Sequence, residues 1–499
     1  MQTFFMQIDL HGLIGLFVLG LVLQMRKAGG PGVEKAGRFV LILAFVLGLA
    51  RTVSFMMYCA ENVLQMDIAC YYTAGESLWH GLSPYKTHLW HNPPVWDGFA
   101  EFQHSRFLYP PIIANFFQLL AVWPYAAVKT MWMPVVVLCV TLSLWLSVRY
   151  LGLKMTPLRW MGLATFVMLF APFLMELEVG QVNILTMLFN ILAIRAMSRT
   201  SPRPYLAGLY FAIAMFIKLQ GAFIVPFLLL RGKWATLRGF VAGSLGIFLI
   251  CFTINGPLTI DYWKNQLPRI SWIAGEHGPK ELRIPFQDKQ LFLWKYRIPQ
   301  GMTMKQYRVY QLFYDNPINN ATLVRPLGTL DWAHRIYQGL GRVGLAKQGT
   351  FFLALAFLSV FLIIGLLGRF WIPPRGRTLT PLQDFIYWHA VFVVVLVSGV
   401  RTWSANLIWM LPAALILLKL HDEPGTMSPG LRFSFWVTIS ALVLIGVPDA
   451  GFRWMAERGF PLFYQKCVAG ELLLFAGLAG ILSSLLSRAP SPAFGARHA

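Results

Sequence analysis

Apolar runs long enough to leave water altogether constrain this chain more than any other feature. Phe39–Leu49, Phe351–Leu367, Phe392–Val397 and Leu472–Leu486 lie in longer apolar windows, of about 20 residues, the length at which a helix crosses a hydrocarbon core of roughly 30 Å. The runs are uniformly apolar and include Gly and Pro, which membrane helices tolerate; a trans-bilayer strand instead shows about ten residues of alternating character. With 57% hydrophobic and 13% charged residues among 499 and a mean hydropathy of +0.58, the chain carries more apolar surface than a soluble domain buries. It reads as an all-α polytopic membrane protein.

Lys and Arg outnumber Asp and Glu by 42 to 21, an excess that in a soluble chain would raise nucleic acid as a partner. Here the positive charges fall in short clusters between apolar runs, the pattern that marks the cytoplasmic side and meets anionic headgroups. The lipid bilayer, not nucleic acid, is the partner implied. The first apolar segment, Phe4–Met25, has neither the positive leader nor the cleavage site of a signal peptide and is followed by Arg26, Lys27, Lys35 and Arg38. It is therefore expected to be a retained helix with its amino end outside. Alternating sides from there puts Arg149/Lys154/Arg159, Arg195/Arg199/Arg203, Arg231/Lys233/Arg238, Arg369/Arg375/Arg377, Lys419/Arg432 and the tail after Arg488 on one face. This requires that Tyr109–Trp123, short and bounded by Pro110, Pro111 and Pro124, stays at the membrane surface or inserts partway.

The expected spans, about 13 by this alternation, are 4–25, 38–57, 128–148, 160–177, 181–195, 205–219, 221–230, 237–255, 350–369, 384–401, 404–420, 431–447 and 466–487. Residues 205–230 can also be counted as one broken helix. The whole of 1–499 reads as one transmembrane domain, with a first outer loop at 58–108 that carries juxtamembrane helices, a long outer loop or cap at 256–349, and a cytoplasmic tail at 488–499. Loops of that length are functional or disordered, and the aromatic content of the second argues for structure. Cys59, Cys70, Cys139, Cys251 and Cys467 form no CxxC pair, so they suggest neither a metal cluster nor a disulfide scaffold.

Asp67 is the first residue that looks chemical. It closely follows the second span, where partial desolvation raises a carboxylate's basicity and fits it to take a proton from a hydroxyl; a helix cap is the plainer use of the same residue. The loop histidines His80, His88, His91 and His104 share the loop with Glu76, Asp97 and Glu101, but their spacing fits no metal motif. Glu176-Leu-Glu178-Val-Gly180-Gln181-Val-Asn183 gathers acids and amides between two apolar helices, where polar groups need partners. It reads as a polar hairpin turn or as a set that hydrogen-bonds sugar hydroxyls. Lys218 and Arg401 lie at outer helix ends, against the charge rule. Either they snorkel to headgroups or they hold a phosphate, with Arg401 also able to pair with Glu176 or Glu178.

In order along the chain, these residues resemble glycosyltransferase family 87, within the C-type superfamily of membrane glycosyltransferases. The family has an acid after an early span, Tyr-Tyr-x-Ala, Gly-x-x-Pro-Tyr, Tyr-Pro-Pro, Gly-Gln-x-Asn and a Lys ending a later helix. Here these are Asp67, Tyr71–Ala74, Gly81–Tyr85, Tyr109–Pro111, Gly180–Asn183 and Lys218, with Pro226 following. The likeness covers roughly residues 38–255 and echoes in Trp403–Pro412. It implies a C-type helical bundle and an inverting transfer of a sugar from a polyprenyl-phosphate donor to a membrane lipid or glycan acceptor. That transfer would take place outside the plasma (inner) membrane, with no metal or other cofactor. Asp67 would be the general base, and Lys218 and Arg401 the donor-phosphate ligands. Tyr71, Tyr72, Tyr85, Tyr109, Glu176, Glu178, Gln181, Asn183 and Asn406 would bind sugar or acceptor. Mannose and arabinofuranose donors are both implied.

Two departures stand out: Ala405 and Asn406 occupy the place of a His pair, and Lys218-Leu219 replaces Lys-Pro. A lipid or solute transporter, or an inactive membrane assembly subunit, are the other readings. No internal repeat of the kind transporters carry is present, and the polar groups gather at helix ends.

Overall fold

Prolines and hydroxyl side chains set where many of the helices begin. The computed structural model describes residues 9–25, 30–62, 66–85, 107–198, 202–267, 348–398, 404–423, 427–447 and 466–487. In chain order these form α1 Leu10–Met25, α2 Gly30–Asn62, α3 Met66–Trp79, α4 Pro111–Leu120, α5 Tyr125–Leu151, α6 Pro157–Leu169, α7 Ala171–Val179, α8 Asn183–Met197 and α9 Pro204–Ile217. A 3₁₀ segment Leu219–Ile224 leads to α10 Val225–Leu230 and α11 Trp234–Asp261, which runs into a π turn Tyr262–Gln266. Then come α12 Gln348–Trp371, α13 Pro381–Val397, a 3₁₀ segment Ser404–Ala413, α14 Ala414–Asp422, α15 Pro429–Gly446 and α16 Lys466–Leu486. No strand occurs among the described residues.

Proline, whose missing N–H is harmless in a first turn, opens α4, α6, α7, α9, α10, α13 and α15. Thr156 and Ser428 accept from the third backbone N–H of α6 and α15, and Thr380 with Gln383 makes a reciprocal capping box on α13.

Among the described residues, six helical stretches are long and apolar enough to cross a membrane: Gly30–Glu61, Tyr125–Leu151, Trp234–Gln266, Ala405–Asp422, Pro429–Gly446 and Cys467–Leu486. A seventh is the pair α6 and α7, bent by 60°. The remaining expected spans fall on shorter apolar helices, of 10–17 residues among those described, below the length that crosses a membrane by that measure. The segment 160–177 breaks at Phe170, just before Pro172, and 205–230 is broken at Lys218. At the start of the long loop the helix continues through a kink at Asn255 and Pro257 as far as Gln266. The tail 488–499 and residues 268–347 lie outside the described residues.

The core centres on α13, in which every residue from Asp384 to Val397 is buried, as befits a helix apolar all round. Small residues bring neighbours close: α9 meets α11 at Gly208 and Gly239, and α16 meets α15 at Gly477 and Gly480. The α1–α2 hairpin packs on α6 through a separate small cluster of Leu13, Phe17, Leu41, Ala44 and Leu169. Exposed apolar side chains such as Val241, Leu245 and Leu249 cover the outward face of α11, the surface a lipid-facing helix presents. All five cysteines are buried, and no disulfide joins them.

Hydrogen bonds gather the basic helix ends at one pole. Tyr150 and Ser198 both bond the Asp384 carboxylate, Arg159 makes a two-pronged pair with Asp422, and Arg377 reaches the carbonyl of Leu486. Arg231 donates to the carbonyls of Pro373, Pro374 and Arg377 at 2.8–3.0 Å. From this pole α8 runs back and α9 runs forward to the opposite one, where Asn183 and Lys218 sit. Asn183, Lys218 and the turn that carries Gln181 are therefore at the far pole from these arginines.

Candidate active site

Asp67 stands in the first turn of α3, partly buried, and the same face of that helix carries Tyr71 one turn later, as a four-residue spacing requires. Opposite it lies the turn between α7 and α8. Gly180 ends α7 in the left-handed conformation, φ +70°, and a Cβ there would stand 2.7 Å from Cγ2 of Ile68. Glycine thus does two things: it reverses the chain and lets the turn press against α3 beside Asp67. The next residue, Gln181, donates through Nε2 to Oδ2 of Asp67. Because a carboxylate only accepts, this bond fixes which end of the amide faces which way. Trp132 of α5 steadies the turn by donating to the Gln181 carbonyl at 3.4 Å.

Oε1 of Gln181 is 2.9 Å from the Tyr71 hydroxyl and 3.3 Å from that of Tyr109, and the two hydroxyls are 2.8 Å apart. The Lys218 ammonium donates to Tyr109 at 3.0 Å and sits 4.8 Å from its ring centroid. Burial holds both phenols above their ordinary pKa, Tyr71 well above it, while Lys218 pulls Tyr109 back down. Both therefore keep their protons. Each hydroxyl has one to give, and the order that uses the shorter contacts runs Lys218 to Tyr109, Tyr109 to Tyr71, Tyr71 to Gln181, Gln181 to Asp67. Every donor points from the cation towards the carboxylate, the alignment in which hydrogen bonds polarise one another.

Packing keeps this line in place. Tyr71 meets Tyr109 edge-on at 4.9 Å and Phe117 at 5.2 Å, and Tyr85 donates to the Tyr109 carbonyl at 2.9 Å while its ring packs against Phe107 and Tyr262. Gly75 leaves no room for a side chain against the backbone of Phe117 and Gln118, so α3 and α4 touch closely. Lys218 is presented by the break between α9 and the following 3₁₀ segment, where its own backbone is extended.

A second polar set adjoins the first. Glu176, fully buried, accepts from Asn183 Nδ2 at 2.6 Å, and Trp409 donates to the Asn183 carbonyl at 3.1 Å. In a 3₁₀ helix residues three apart eclipse, so Asn406 lies on the same edge as Trp409, and it donates to Gln220 at 3.3 Å. Glu176 Oε2, Asn183 Oδ1 and Asn406 Oδ1 are buried with no hydrogen-bond partner among the described residues. What this set offers is acceptors. It suits a ligand rich in hydroxyl donors.

The remaining candidates separate. Tyr72 turns to the other side of α3, donating to the Trp123 carbonyl at 2.9 Å and meeting Tyr125 edge-on, because an adjacent residue on a helix points about 100° away. Glu178 faces Tyr58 and Cys59 of α2 in electrostatic reach, away from Glu176. Ala405 is buried beside Asn406, and Arg401 lies outside the described residues, as do His88, His91 and His104, while His80 is exposed. Trp132, Trp409 and Gln220 went unnoticed in the sequence. An indole in an apolar helix, whose N–H needs a partner, was the available signal for the two tryptophans.

A comparison with curated proteins finds no match, and one with solved structures finds none either. A family model does match, and the stretch it covers carries Tyr109, Glu176, Gln181, Asn183 and Lys218, with Asp67 ahead of it. The model that matches, over residues 107–287, is that of glycosyltransferase family 87, the family the motifs resemble, and it falls on a helical chain with several stretches long and apolar enough to cross a membrane.

Proposed function

We propose that this chain moves a sugar, mannose or arabinofuranose, from a polyprenyl-phosphate donor to a hydroxyl of a lipid or glycan acceptor, with inversion at the anomeric carbon. Asp67 takes the acceptor's hydroxyl proton, the acceptor oxygen bonds to the anomeric carbon, and the bond from that carbon to the phosphate oxygen breaks. The electron pair leaves on polyprenyl phosphate, whose charge Lys218 stabilises, with Arg401 as a second cation. Fixed positive charge contributes most where negative charge develops, and a phosphate leaving group has little need of an acid, so no histidine pair is required. The step as written uses no metal or other cofactor.

The observation that carries this reading is the single hydrogen-bonded line joining Asp67 to Lys218. A base and a phosphate ligand must flank one reacting carbon, and this line sets a carboxylate and an ammonium at its two ends. Glu176, Asn183 and Asn406 supply acceptors for sugar hydroxyls, while Tyr85 and the turn at Gly180 brace the site. The pole rich in arginines is the cytoplasmic one by the positive-inside rule. The site then opens on the periplasmic or extracellular side of the plasma membrane, with the shorter helices completing about 13 crossings.

Purified protein in nanodiscs, given polyprenyl-phosphate mannose or polyprenyl-phosphate arabinofuranose and a lipid acceptor panel, should release polyprenyl phosphate in step with product. A strict requirement for a nucleotide sugar, with both lipid-linked donors inactive, would overturn the reading.

A further inference from the structure

We infer that Tyr109 and Tyr71 are positioning residues that tie donor-phosphate capture to the base, and that they do not contact the sugar. The inference rests on the assignment of Lys218 to the phosphate and Asp67 to the proton, and adds how the two are held in register. The Tyr109 hydroxyl is within hydrogen-bond distance of Lys218 Nζ, the Tyr71 hydroxyl and Gln181 Oε1 at once, at 3.0, 2.8 and 3.3 Å. A phenol oxygen accepts up to two hydrogen bonds and donates one. Lys218 takes one lone pair and Tyr71 the single proton, while Gln181 Oε1, which has no proton to give, stands against the remaining side, so Tyr109 has no proton left to donate to a sugar oxygen. Tyr71 is fully buried and is likewise engaged, with Tyr109 and Gln181.

An ammonium carries three donors. Lys218 gives one to Tyr109, which aims the other two; with the extended backbone at the helix break, this fixes a long flexible side chain that would otherwise sample many rotamers. At the other end Gln181 holds one carboxylate oxygen of Asp67. The line has an order, and the order makes different predictions for its members. Tyr109 touches the phosphate ligand directly and reaches Asp67 through Tyr71 and Gln181. Tyr71 lies between Tyr109 and Gln181, so removing its hydroxyl leaves the bond from Lys218 to Tyr109 intact.

The test compares Tyr109→Phe and Tyr71→Phe in nanodiscs, measuring the dissociation constant for polyprenyl phosphate and kcat at saturating donor. Tyr109→Phe should weaken polyprenyl phosphate binding about tenfold and lower kcat about tenfold as well. Tyr71→Phe should lower kcat by a similar factor while binding stays within about twofold. Equal effects of the two variants on both quantities, or no effect of Tyr109→Phe on binding, would overturn the coupling. A lysine variant keeps this distinct from the underlying assignment: if Lys218→Met itself leaves polyprenyl phosphate binding unchanged, the phosphate assignment fails. If Lys218→Met weakens binding and Tyr109→Phe does not, only the coupling fails. Should Tyr109→Phe not be recovered folded, Gln181→Met takes its place beside Tyr71→Phe. Both break the line beyond Tyr109, so both must lower kcat and spare binding, and weakened binding in either overturns the inference.

Discussion

Replacing Asp67 by Asn separates basicity from architecture more cleanly than any other change at the site. The asparagine oxygen can still accept from Gln181 Nε2, so the line from Lys218 survives with a neutral hydrogen bond in place of a charge-assisted one. That exchange costs about 1 kcal/mol of stability. Turnover should fall much further, because a group that accepts the hydroxyl proton during attack contributes about 10² to 10⁴ in rate, and 10² alone is about 2.7 kcal/mol on the barrier. The assay is single-turnover release of polyprenyl phosphate by monodisperse protein, with Asp67→Asn, Glu176→Gln and Glu178→Gln measured side by side. Glu176→Gln keeps an oxygen for the amide of Asn183 and should lose less than about tenfold, as expected of a residue that binds and does not take the proton. Near-normal turnover in Asp67→Asn, or a larger selective loss in either glutamate variant, would refute Asp67 as the base.

Gly180→Ala should lower both stability and turnover. A Cβ at φ +70° and 2.7 Å from Ile68 costs about 2 kcal/mol or more, and the displaced Gln181 should cut kcat more than about tenfold, read by thermal unfolding and by sugar transfer. A fully active variant would mean that the turn does not position Gln181. Glu76, in α3 outside the crossing helices, makes a pH-dependent contribution. Burial raises its carboxyl from 4.5 to about 7, so the native state binds that proton more tightly than the unfolded chain, and its stabilisation is full below the lower value and lost as pH rises through the upper one. Glu76→Gln should therefore melt near wild type at pH 5 and progressively above it by pH 8, measured by differential scanning fluorimetry; parallel curves across that range would contradict the shift.

Much of the helical architecture was legible in the chain because membrane helices announce themselves through composition, and their starts through Pro and hydroxyl caps at Thr156, Thr380 and Ser428. The breaks were harder to read. The run 160–177 reads as one span although Pro172 lies at the bend between α6 and α7, whereas a break within 205–230 is expected and falls at Lys218, where the chain leaves the helix without proline. The site was legible as a set of residue types and illegible as an arrangement. Asp67, Tyr109, Gln181 and Lys218 are far apart in sequence, and only packing at Gly180 and Gly75 brings them together. Tyr72 shows the limit of reading motifs as units: the same Tyr-Tyr pair sends one ring into the line and the other to Trp123.

Arg231 holds the end of α10 to the turn at Pro373–Arg377, while Trp409 and Asp384 tie the later helices to α8, α5 and Ser198. These bonds join chain that precedes residue 268 to chain that follows residue 347. The two parts are thus fastened side by side by bonds between their own helices and turns. The entropy of closing a longer connection grows only with the logarithm of its length, about 0.6 kcal/mol per doubling. A change in the length of chain between these two parts therefore costs the helical body little.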